Sequence, residues 1–160
     1  MLTRLEKTQA QYGGANKVID SWLEERQEWL VRYCQLAGLP PFEKNSSAIP
    51  AQTEVQAFCQ VMMDYLSAGH FEVYDQVVSK CEVNGGASLE LAQKLTPKIS
   101  ASTDTALNFN DKYAEKVNEE DCANFDQDLS NLGQAMEERF EFEDELIHTL
   151  FHKHSAVETA

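Results

Sequence analysis

The chain is 160 residues long, room for one domain with its own core and too little for two. Its 13 Lys and Arg against 27 Asp and Glu give a net charge of −14, which argues against direct nucleic-acid binding, because phosphates must be met by basic side chains. Apolar residues make up 42% and charged ones 25%, as in ordinary folded proteins, and no apolar run of about eighteen residues offers a membrane span.

The stretch Met1–Gln11 mixes Arg4, Glu6 and Lys7 with isolated leucines and has no apolar heart of a secretory signal, so a cytoplasmic protein is expected. A first long helix follows Gly13-Gly14, with Asn16 as N-cap. Its apolar stripe is Val18, Ile19, Trp22, Leu23, Trp29, Leu30, Tyr33, Cys34 and Leu36, and Gly38 and Pro40-Pro41 end it. After a loop over Leu39–Gln52, Thr53 with Gln56 reads as a capping box. Val55, Phe58, Cys59, Met62, Met63 and Leu66 then recur at helical spacing up to a Ser67-Ala68-Gly69-His70 corner. There Gly69 is expected to take the left-handed conformation and turn the chain.

A third helix carries Phe71, Tyr74, Val77, Val78 and Cys81 to about Val83. Gly85-Gly86 breaks the chain, Ser88 can cap the next segment, and Pro97 marks a kink or fresh start before a run that reaches Asn118. The last helix spans about Glu120 to Phe151 on Phe125, Leu129, Leu132, Met136, Phe140, Ile147 and Leu150, and 152–160 reads as a frayed tail. No alternating pattern supports a strand. The expected fold is all-α: a single domain over 1–160, an up-and-down antiparallel four-helix bundle with additional short helices.

Cys34, Cys59, Cys81 and Cys122 form no CxxC or CxxH pair and read as small hydrophobes of a reduced protein. Two charges break the apolar stripes. Glu143 lies between Phe140 and Ile147, and Arg26 between Trp22 and Trp29, so an Arg26–Glu143 pairing is expected inside the bundle. It reads either as an ion pair that fixes helix register or, with Trp22, as a polar pocket between helices. A di-iron site needs two Glu-x-x-His motifs, and Glu145–His148 stands alone. His148 and His152, with His154 nearby, have metal-binding spacing, yet histidines at a helix C-terminus also simply complement its dipole. Ser67 and His70 have no nucleophile elbow around them, and Gly85-Gly86 begins no phosphate loop. No metal, cofactor or enzymatic activity is expected. Between Glu115 and Glu145 twelve acids face only Lys116 and Arg139, which makes either a solvated face or a surface for a basic partner.

Three blocks carry a family likeness. They are Ala15–Leu23 continued by Leu36-Ala37-Gly38-Leu39-Pro40; Phe58-Cys59-Gln60 with Asp64-Tyr65-Leu66-Ser67-Ala68-Gly69-His70-Phe71; and Leu129-Ser130-Asn131-Leu132-Gly133 with Glu138-Arg139-Phe140 and Glu143-Asp144. With them the whole chain resembles the regulator-of-sigma-D family (Rsd, with its relative AlgQ) of bacterial anti-sigma factors; the tail differs in carrying His148, His152 and His154. The resemblance implies a helical bundle that binds the C-terminal, helix-turn-helix domain of the primary sigma factor, which reads the −35 promoter element. Such binding keeps sigma from promoter and core polymerase and favours alternative sigma factors in stationary phase. It implies that Asp64, Ser67 and Phe71 lie at the contact, with Tyr65, Leu66 and His70 supporting the corner. A phosphocarrier protein of the sugar phosphotransferase system is the alternative partner, and a metal- or small-ligand-binding bundle the remaining reading.

Overall fold

Helix α1, Lys17–Ala37, forms because Ile19, Trp22, Leu23, Arg26, Trp29, Leu30, Tyr33 and Leu36 recur three and four residues apart and all turn inward. The computed structural model describes residues 5–6, 9, 17–39, 51–74, 86–115 and 123–158, and the side chains of 71, 72, 86–89 and 149–158 stand outside that description. Gly38 ends α1 at φ 67°, with Leu39 N–H donating to Cys34 O at 3.0 Å and Gly38 N–H to Gln35 O at 3.4 Å. This is the Schellman closure expected of a glycine past the last turn. The proposed Asn16 cap lies outside the described residues.

Helix α2, Gln52–Ala68, starts one residue before the expected cap. Ala51 is its N-cap, without a side-chain hydrogen bond, and its carbonyl accepts from Glu54 N–H at 2.9 Å and Val55 N–H at 3.1 Å. Thr53 is therefore already helical, and the Thr53–Gln56 capping box is not formed. Gln52 instead reaches across the bundle, donating from Nε2 to the carbonyls of Tyr113 at 3.1 Å and Ala114 at 3.3 Å.

The corner also differs from expectation. Gly69 is right-handed (φ −57°, ψ −52°), and the chain runs on as a π-helical turn over Gly69–Val73, closed by Tyr74 N–H on Gly69 O. Gly69 serves close packing instead of a reversal: a Cβ there would stand 3.2 Å from Trp22 Nε1. The third-helix positions Val77, Val78, Cys81 and Val83 lie outside the described residues.

Helix α3, Gly86–Tyr113, passes through the exposed Pro97 without a fresh start, and Ser88 lies inside its first turn instead of capping it. Helix α4, Phe125–Glu158, begins with Asp126 and Asp128 in its first turn, where acids favour the positive helix end, and continues past Phe151.

The four helices run up, down, up, down. Helix α1 meets α2 through Trp22–Tyr65 near one end and Tyr33–Phe58 near the other. The pair α3 and α4 meets through Lys112–Asp128 and Arg139–Thr103, α2 and α3 through Phe58–Phe109, and α1 and α4 through Arg26–Asp144 and Tyr33–Leu129. Each pairing is antiparallel, as expected of the bundle. Trp29 sits at the middle of the core, its ring centre 5.4 Å from that of Phe58 and 5.8 Å from that of Phe140. Leu5 of the N-terminal stretch is buried in the same core, as are the free thiols Cys34 and Cys59. Cys81 and Cys122 lie outside the described residues. Among the described residues no helix is long and apolar enough to cross a membrane.

Candidate functional site

A charged network occupies one half of the bundle interior. Arg26, 1% exposed, lies between aromatic faces, its guanidinium carbon 4.8 Å from the ring centre of Phe140 and 5.1 Å from that of Trp22. Its Nε donates to Tyr65 Oη at 3.0 Å and its Nη1 to Asp144 Oδ1 at 2.7 Å. Glu143, 0% exposed, is 4.0 Å from Arg26 Nη2, so the expected pairing is mainly indirect. Tyr65 Oη bridges it, donating to Glu143 Oε2 at 2.8 Å. The direct partner of Glu143 is Arg139, whose Nε donates to Oε1 at 2.9 Å from one turn back on α4. Arg139 then reaches Thr103 Oγ1 at 2.6 Å, Ser102 Oγ at 3.3 Å and Tyr74 Oη at 2.9 Å. All four helices and the residue closing the π turn contribute to this network.

Electrostatics hold it together. Burial opposes the Arg26 charge, but Tyr65, Glu143 and Asp144 outweigh it and keep the guanidinium charged. Burial likewise opposes the charge of Arg139 and is outweighed by Glu143 and Tyr74. Burial raises the Glu143 carboxyl despite the two guanidiniums beside it, and drives Tyr65 far above its ordinary value, so the Tyr65 phenol keeps its proton and donates it. With two guanidiniums matched by two carboxylates, of which only Asp144 reaches solvent, the arrangement is suited to fixing helix register. Trp22, Arg26 and Glu143 meet here, each no more than 1% exposed.

Above the network lies the α2 corner. Tyr65 and Leu66 face inward at 0% and 5% exposure, whereas Asp64, Ser67 and His70 are exposed on the outer flank. Gln60 Nε2 donates to Asp64 Oδ1 at 3.0 Å and orients that carboxylate. The His70 ring stands edge-on to Tyr74 at 6.5 Å. Phe71 lies in the π turn, with its side chain outside the described ones. Trp22 supports the corner from below, stacked on Tyr65 at 5.2 Å and edge-on to Tyr74 at 6.3 Å.

The model of the family described as "Regulator of RNA polymerase sigma(70) subunit, Rsd/AlgQ" matches residues 1–151. The chain belongs to the Rsd/AlgQ family. It is 36% identical to "Regulator of sigma D" of Yersinia pseudotuberculosis over 148 residues, 92% of this chain and 87% of that protein. To the protein of the same name from Salmonella typhi it is 37% identical over 152 residues, 94% of this chain and 92% of the other.

The blocks that carried the Rsd/AlgQ likeness are those that converge in the fold. Trp22 of the first lies under Gly69 of the second, and Glu143 of the third, itself held by Arg139, accepts from Tyr65 of the second. Sequence reasoning picked out Arg26 and Glu143 but missed Arg139, Asp144, Tyr74 and the bridging role of Tyr65. Arg139 was visible by the test that exposed Glu143, since it falls on the Met136–Phe140–Glu143 face at i, i+4 from Glu143. Tyr74 stood on the expected third-helix stripe as one more apolar position, and nothing in that spacing marked its hydroxyl as the partner of Arg139. Of the C-terminal histidines, His148 is exposed, and the side chains of His152 and His154 lie outside the described ones.

Proposed function

We propose that this protein is a non-catalytic regulator that binds the C-terminal, −35-reading domain of the primary sigma factor, keeping it from promoter and core polymerase. The observation that carries the reading is the Rsd/AlgQ match along residues 1–151. The corner of α2 is the docking face, with Asp64, Ser67 and Phe71 in contact and Tyr65, Leu66 and His70 supporting them. Its chemistry suits such a guest. A domain that grips promoter phosphate does so with Lys and Arg, and an oriented surface carboxylate such as Asp64 competes for the same groups by charge-assisted hydrogen bonding. The −14 net charge steers a basic partner toward the bundle. Lowering free primary sigma in this way favours alternative sigma factors in stationary phase.

A pull-down at low salt with the isolated C-terminal sigma domain tests the reading. Capture of that domain, reversed by added salt, is the expected outcome; a folded protein that captures none sinks it.

A further inference from the structure

We infer that Arg139 and Glu143 are positioning residues for partner binding: they tie down the tyrosines on either side of the π turn and so set how its outer residues are presented beside Asp64. The inference rests on the reading of the α2 corner as the docking face.

A π turn is a helix carrying one residue too many, less stable than the α-helix it interrupts, so something around it must compensate. The network does. Nine residue steps of regular α-helix from Tyr65 to Tyr74 would turn through about 900° and send the two rings to opposite sides. Absorbing one extra residue removes about 100° and leaves them about a quarter turn apart, both able to reach α4. Tyr65 Oη donates to Glu143 at 2.8 Å, Tyr74 Oη accepts from Arg139 Nη2 at 2.9 Å, and Arg139 Nε locks onto Glu143 at 2.9 Å. The two α4 groups, bonded to each other, thus hold the entry and the exit of the turn. Trp22 fills the space between the rings, and the missing Cβ of Gly69 lets the backbone settle on it.

Without the Arg139–Tyr74 tie the segment can relax toward the regular α register. Tyr74 then rotates by about 100° relative to Asp64, and the residues inside the turn by part of that angle. Only a fraction of free molecules would retain the competent turn, and apparent affinity would fall by that fraction.

Tyr74→Phe keeps the ring against Trp22 and removes only the oxygen that accepts from Arg139; Glu143→Gln is the second variant. Gly133→Ala is the control, a packing lesion at the Tyr33 contact away from the network. Each is titrated calorimetrically with the C-terminal sigma domain, alongside Asp64→Ala, and amide hydrogen exchange is followed over 69–74. The expected result is about tenfold weaker binding by Tyr74→Phe, with faster exchange at 69–74 in the free protein and protection regained in the complex. Gly133→Ala should lower stability and leave affinity unchanged. Wild-type affinity in both network variants while Asp64→Ala is weakened would overturn this inference and leave the docking face standing. An equal loss of affinity in Gly133→Ala would also overturn it, reducing the network to general stability. Unaltered binding by Asp64→Ala would remove the docking face itself.

Discussion

Two glycines show how much one hydrogen atom decides. A Cβ at Gly133 would stand inside any permissible contact distance of Tyr33 Oη. Tyr33 cannot easily yield, because its hydroxyl donates to Leu129 O at 3.2 Å and its ring packs on Trp29 at 5.3 Å. Gly133→Ala should therefore cost about 2–3 kcal/mol in urea unfolding, from overpacking and the strained hydrogen bond; a change below about 0.5 kcal/mol would contradict the close approach of α1 and α4. At Gly69 the contact is 3.2 Å from Trp22 Nε1, a few tenths of an ångström too tight. Its right-handed backbone lets Ala gain about 1 kcal/mol of helix propensity, so Gly69→Ala should come out near neutral by the same measurement. A large loss there would mean that Trp22 cannot move. Glu143→Ala belongs to another class: it strands the buried Arg139 guanidinium and the Tyr65 hydroxyl, while Arg26 keeps Asp144, and should cost about 3–5 kcal/mol, read from the same urea curves.

Helix ends were readable where the signal is local. The positive φ of Gly38 and the Schellman bonds behind it depend on that glycine and its neighbours alone, so the end of α1 was legible. Gly69 looked the same in sequence and behaves otherwise, because the contacts that decide its conformation come from Trp22 on another helix and, through Tyr65 and Tyr74, from α4. A cue was present: with Gly69 counted as a small core residue, Phe58, Met62, Leu66, Gly69 and Val73 continue one stripe at helical spacing.

At the far end of the bundle α3 and α4 are joined by Asp128, which accepts from Lys112 Nζ at 2.7 Å and from Tyr113 Oη. Partial burial works to raise the Asp128 carboxyl, but the hydrogen bonds from Lys112 and Tyr113 outweigh it and hold it below its ordinary value. A carboxyl with a lowered folded pKa stabilises the fold above its unfolded value of 3.8, and that contribution disappears as the pH falls through the folded value. The stability gap between wild type and Asp128→Asn should accordingly be full at neutral pH and close in acid. A gap independent of pH would show that Asp128 acts by packing alone.

Across the whole molecule, four apolar stripes sufficed to read an antiparallel bundle, since each long amphipathic helix must bury one face against the others. The buried network was only half legible, because which charged groups meet depends on how four separate helices register against one another. The net charge of −14 gives the molecule two opposed responses to salt. Screening relieves the repulsion among exposed acids such as Glu137, Glu138, Glu141 and Glu145 on α4, so added salt should raise the thermal midpoint. The same screening should weaken the sigma complex. If the two moved together, charge attraction would not be what draws the partner.

The most direct test is calorimetric titration of the folded protein with the C-terminal sigma domain at low salt, beside Asp64→Ala. Saturable binding by the wild type, weakened about tenfold or more in Asp64→Ala with unchanged helical content, is the predicted result. A wild-type protein that folds and binds no sigma domain, or an Asp64→Ala protein that binds as tightly as the wild type, would contradict the proposal that sigma docks at the α2 corner.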